Sequence, residues 1–138
     1  MKQFFGLIIC LYVVVTITAA PDEKCRKGRE NLVEFIAKAA TRSNTPLDDI
    51  TADYFLCAWE ALKIMNENGK VNATELEKFI EDQLSYVTTI TPERSSVIKK
   101  CVSDCDLKPR QVKTETAIIV KNCNAKIMSL LYIPVDYD

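Results

Sequence analysis

Residues 51–69, TADYFLCAWEALKIMNENG, decide the fold class of this chain. Tyr54, Phe55, Ala58, Trp59, Leu62 and Met65 recur at the spacing of a single helix face, so the stretch predicts an amphipathic helix with a wide apolar side to bury. Thr51 stands where a capping hydroxyl belongs, and Gly69, after Asn66-Glu67-Asn68, is a natural terminator. Cys57 falls inside the helix. A cysteine on a helix that must also pack points to a bridge between helices.

The same periodicity continues on both sides. Upstream, Leu32, Val33, Phe35, Ile36, Ala39 and Ala40 form the inner face of a first helix that ends in the polar run Thr41 to Thr45 before Pro46. Downstream, Asn72 or Thr74 opens a third helix, with Glu75 or Glu77 three residues on as a capping box. Leu76, Phe79, Ile80, Leu84 and Val87 line it. Thr91-Pro92-Glu93 opens a fourth, with proline at a first-turn position that has no N–H to lose, and Val97, Ile98, Cys101, Val102 and Cys105 share its apolar face. Pro109 interrupts the pattern. A last helix carries Ile119, Val120, Cys123, Ile127, Leu130 and Leu131 until Pro134 stops it. No strand alternation or repeat competes, so the reading is all-α.

Ahead of these helices lies a leader. Met1 and Lys2 give a short positive start, Phe4 to Val15 is nearly all apolar, and Thr16 to Ala20 is small, which is the build of a secretory signal peptide over residues 1–20. The run is too short for a membrane span. Residues 21–138 then form one domain, large enough for a real core, and localisation is secreted and extracellular. The net charge of −1 becomes one unit more negative when Lys2 leaves with the leader, and there is no basic block. Nucleic acid and stable membrane association are therefore not expected.

Beyond the leader stand five cysteines, Cys25, Cys57, Cys101, Cys105 and Cys123. In an oxidising compartment they imply two bridges, each stabilising by roughly 2–4 kcal/mol, and one spare thiol. That thiol opens a route to a homodimer. A zinc site would need close ligand pairs or histidines, and the chain has no histidine. The same lack removes Ser–His and Cys–His nucleophiles, and with only Gly28 and Gly69 left no phosphate-cradling loop can be built. The reading is a protein that is not an enzyme and uses no metal or cofactor. An EF-hand loop centred on Gly69 fails because its first ligand would be Ile64. Asn72-Ala73-Thr74 is a glycosylation sequon or a helix cap, or both. The aromatic and methionine stripe of Phe35, Tyr54, Phe55, Trp59, Met65, Phe79 and Tyr132 reads as core or as a ligand pocket.

Over residues 21–138 the chain resembles the insect odorant-binding proteins of the pheromone/general odorant-binding superfamily. Cys57 matches the family's third cysteine, with Asp53 in place of the second, and Cys123 matches the sixth, with Thr114 in place of the fifth. In the family those two missing cysteines bond each other, and their joint loss resembles the four-cysteine "minus-C" subgroup. Residues 57–71 also look like the family's helix after the third cysteine. The resemblance implies a Cys25–Cys57 bridge and a second from Cys123 to the fourth helix. Cys101 gives the more usual interval, whereas Val102-Ser103-Asp104-Cys105 looks more like the subgroup's context and favours Cys105.

What the resemblance implies is five or six helices around an apolar cavity, stapled by about two disulfides, that reversibly binds and transports small hydrophobic molecules such as odorants or pheromones. An olfactory receptor would be a nearby partner. The cavity lining expected here is Phe35, Phe55, Trp59, Leu62, Met65, Leu76, Phe79, Ile119, Leu131 and Ile133, with Tyr54, Tyr132 or Tyr137 able to hydrogen-bond a ligand. Without histidine, acid-driven release would depend on carboxylates such as Asp136 and Asp138, acting below about pH 5 unless burial raised their pKa values. Two alternatives stand beside this reading: a salivary or venom small-molecule scavenger of the same fold, and a secreted helical interaction protein with a filled core.

Overall fold

The computed structural model describes residues 23–132. The leader, Ile133 and the tail residues Asp136, Tyr137 and Asp138 lie outside the described residues. Within them the chain forms six α-helices: α1 (Glu23–Arg26), α2 (Val33–Thr41), α3 (Ala52–Ala61), α4 (Ala73–Ser85), α5 (Pro92–Asp104) and α6 (Lys113–Leu131), with a 3-10 turn at Glu30–Leu32. This is an all-α fold.

Capping chemistry sets the starts of α4 and α5. Asn72 Oδ1 accepts from Glu75 N at 3.1 Å and caps α4. Thr91 Oγ1 accepts from Arg94 N at 3.2 Å, and Pro92 opens α5. Thr51 precedes α3 but does not cap it through its side chain. Its hydroxyl donates instead to Asp49 Oδ2 at 2.5 Å.

The end of α3 departs from the sequence reading. The helix stops at Ala61 rather than running to Gly69. Lys63 takes the left-handed conformation (φ 63°), Lys63 N donates to Glu60 O at 3.1 Å and Ile64 N to Trp59 O at 2.9 Å. This pair of bonds is a Schellman motif, with lysine where glycine usually sits. The chain then turns back through a small hairpin, with Met65 bridged to Val71. Gly69 (φ 80°) belongs to that turn. Asn66 Oδ1 accepts from both Asn68 N and Lys70 N at 2.9 Å, so this oxygen organises its own loop.

α6 is the central helix, packing most extensively on α3 and also against α2, α4 and α5. Its buried residues, Thr116, Ala117, Ile118, Val120, Lys121, Cys123, Asn124, Ala125 and Ile127, fall on every side of the helix, as expected of a helix surrounded by others. Ile118 is fully buried and Ile119 only partly. Disulfides join Cys25 to Cys57, linking α1 to α3, and Cys105 to Cys123, linking the end of α5 to α6. Cys101 is a free, half-buried thiol.

Four apolar residues expected on inner faces lie outside. Phe35 is 54% exposed and Val33 48%, because α2 turns Ile36 and Ala39 to the core. Val97 and Leu130 are exposed in the same way on α5 and α6.

Candidate functional site

Spacing on α3 and α4 assembles an aromatic cluster in the interior. Phe55 and Trp59, one helical turn apart, lie nearly parallel with ring centroids 6.3 Å apart. Tyr54 meets Phe55 edge-on at 5.3 Å. From α4, Phe79 meets Trp59 edge-on at 5.5 Å. Offset and edge-to-face arrangements such as these match the charge distribution of aromatic rings. Trp59 Nε1 donates to Ala117 O at 3.0 Å, which fixes the indole plane against the central helix. Met65 and Leu76 are buried with Tyr54, Phe55 and Trp59 in one continuous core, and Phe79, Leu62 and Leu131 pack on it half-buried.

Of the residues expected to line a ligand site, Tyr54, Phe55, Trp59 and Phe79 are thus brought into ring contact. Ile119 and Tyr132 are half-buried. Phe35 does not join them, for the reason given by the rotation of α2.

Two surface clefts lie elsewhere. One, of about 510 Å³, runs beside the first disulfide between Lys24, Arg29, Asp53, Glu60 and Lys63. The other, of about 560 Å³, is bounded by Lys70, Val71 and residues 103–109. None of the expected lining residues borders either cleft, and their mixed charged walls do not suit an apolar ligand.

The interior also holds polar groups that the sequence reading passed over. Gln83 of α4 and Asn124 of α6, 2% and 7% exposed, face each other: Gln83 Nε2 donates to Asn124 Oδ1 at 3.3 Å and Asn124 Nδ2 to Gln83 Oε1 at 3.5 Å. The signal was available. Gln83 continues the buried Leu76–Ile80 stripe, and Asn124 continues Ala117–Val120, each at the next helical step.

Lys121, 1% exposed, reaches across to the end of α2. Its Nζ donates to Ala39 O at 2.6 Å, and also to Arg42 O and Thr45 Oγ1. Next to it, Asn122 bonds both backbone groups of Thr45, accepting from its N at 3.1 Å and donating to its O at 3.0 Å. Burial pushes the Lys121 ammonium down from 10.5 to about 8, with the Asp49 carboxylate opposing the shift and Arg42 adding to it. Among the described residues no cluster of His, Cys, Asp and Glu is placed to hold a metal ion. No helix among them is long and apolar enough to cross a membrane.

The family model described as the PBP/GOBP family matches residues 19–126, a span that covers α1 to α5 and most of α6. No significant match was found among curated proteins or among solved structures.

Proposed function

The chain belongs to the PBP/GOBP family, whose members bind small hydrophobic ligands, and from that premise we propose that it is a secreted, non-catalytic carrier of odorant-like molecules. In this reading residues 1–20 are the cleaved leader and residues 21–138 the carrier domain. The two missing cysteine positions, Asp53 and Thr114, favour the four-cysteine subgroup.

The observation that carries the reading is the meeting of Phe55, Trp59 and Phe79 inside the domain. Three ring systems supply a large, sequence-tolerant apolar surface, and flexible Met65 in the same core adapts to varied ligand shapes. Removing about 300 Å² of apolar ligand surface from water gives about 7.5 kcal/mol at 25 cal/mol per Å². That corresponds to micromolar affinity before ordering costs are subtracted.

Trp59 is the chain's single tryptophan, so its fluorescence reports directly on the cluster. The test is a titration of oxidised residues 21–138 with an apolar naphthylamine dye, followed by displacement with small volatile compounds. Saturable uptake near one-to-one, with a change in Trp59 emission, is the expected result. Absence of saturable uptake by correctly bridged protein overturns the reading in favour of an interaction protein with a filled core. The exposure of Val33 and Phe35 on α2 is what favours that second reading.

A further inference from the structure

Among the described residues six polar or charged side chains are buried: Thr45, Thr51, Gln83, Thr116, Lys121 and Asn124. Four of them have plain structural work. Lys121 and Thr45 close the end of α2, Thr51 holds Asp49, and Thr116 Oγ1 accepts from Arg110 N at 2.8 Å. Among the described residues Gln83 and Asn124 hydrogen-bond through their side chains only to each other, at 3.3 and 3.5 Å, longer than the usual 2.9–3.0 Å.

A side-chain amide offers two N–H donors and two acceptor lone pairs. The reciprocal pair uses one donor and one acceptor on each side. Each amide therefore keeps one N–H and one lone pair unused in the interior, where idle polar capacity is unfavourable. Packing alone does not require such a pair, because replacing both partners by apolar groups of like shape is close to neutral. Its position is informative. Gln83 lies one turn beyond Phe79 on α4, and Asn124 lies two turns beyond Ala117, whose carbonyl receives the Trp59 N–H. The amides thus sit on the two helices that contact Trp59, Gln83 on the same face as Phe79 and Asn124 two turns along from the Ala117 carbonyl.

We propose that the Gln83–Asn124 pair is the polar anchor of the ligand site, selecting apolar molecules that carry one hydroxyl or carbonyl oxygen over hydrocarbons of the same length. The inference rests on the binding function proposed above. A ligand hydroxyl accepts from one idle N–H and donates to an idle lone pair, a ligand carbonyl accepts an N–H, and an alkane does neither. The amides then discriminate among ligands that the rings alone would hold equally.

The experiment compares octane, octan-1-ol and octanal as displacers of the dye from oxidised residues 21–138 and from the double variant Gln83→Met/Asn124→Leu, with circular dichroism to confirm the fold. The expected result is that the variant loses about tenfold in affinity for octan-1-ol and octanal while octane changes by less than about twofold. If all three ligands keep the same affinity ratios in both proteins, the pair is only a packing contact and the proposal is overturned, while the binding function stands. If neither protein takes up dye or octane, the binding function itself fails and the anchor with it. Asn124→Asp covers the case in which the double variant does not fold. It exchanges the Nδ2 donors for acceptors, and Gln83→Glu does the same for the Nε2 donors, so in at least one of the two octanal, which only accepts, must lose more affinity than octan-1-ol, and equal losses in both overturn the anchor.

Discussion

Replacing Lys121 by methionine tests whether the interior charge carries the free-energy cost that its burial implies. Lys121 is 1% exposed, and its ammonium titrates near 8 in the folded chain against 10.5 for an ordinary lysine. Below about pH 8 both native and unfolded chains hold this proton, so the full penalty of burying the charge is present and does not vary with pH. Between about 8 and 10.5 the unfolded chain keeps the proton and the native one releases it. The unfolded state then binds more protons, so stability rises with pH. At about 1.36 kcal/mol per pH unit, that window gives a gain of about 3 kcal/mol in the wild-type side chain and none in Lys121→Met. Urea unfolding of both proteins at pH 7, 8, 9 and 10 measures it. Cys101→Ser is placed in both backgrounds so that alkaline thiol exchange does not intrude. Other titrating groups cancel in the comparison, and the two curves must diverge above about pH 8. Parallel curves would refute the reasoning: the bonds to Ala39 O, Arg42 O and Thr45 Oγ1 would then compensate the lost hydration in full.

Three other outcomes follow from the geometry. Asn72→Ala removes the cap on Glu75 N and lowers stability by about 1 kcal/mol, whereas Asn72→Asp keeps the cap and most of the stability, as thermal unfolding will show. Gly69→Ala forces a Cβ into a φ of 80° and to within 3.0 Å of Lys113 Cγ. It destabilises by about 1–2 kcal/mol, and adding Lys113→Ala recovers only the contact part in urea unfolding. Phe35→Ser, on the exposed side of α2, shifts the urea midpoint by no more than about 0.5 kcal/mol equivalent and leaves dye affinity unchanged.

Elements whose ends carry side-chain chemistry were legible in the sequence. Asn72 and Thr91-Pro92 mark the starts of α4 and α5 where the caps form, because capping is a local bond between residues three apart. The end of α3 was not legible. Its terminator is Lys63 in a conformation that costs a non-glycine residue roughly 1–2 kcal/mol, and nothing local announces it. The burial of Ile64 and Met65 at 1% and 2% rewards the early turn instead. The face of α2 was misread because a helix of nine residues with apolar residues at many phases admits more than one buried side, and contact with α6 decides. The aromatic residues of α3 and α4 were readable as a set, since their spacing brings them to one side. The inward position of Gln83 and Asn124 was legible from their stripes, but their pairing was not, because a lone Gln and a lone Asn meet only once α4 and α6 are placed together.

The anchoring contacts of α6 carry a consequence for the order of events in synthesis. Trp59 ends on Ala117, the carbonyl end of α2 on Lys121, Thr45 on Asn122, and Cys105 on Cys123. Every one of these partners lies in α6, the last helix among the described residues. The first half of the domain therefore cannot complete its core while the chain is still emerging, and a chain cut before Lys113 has helices without a centre. Completion of the core waits for this helix, and until it is made Phe55, Trp59 and Phe79 stay uncovered.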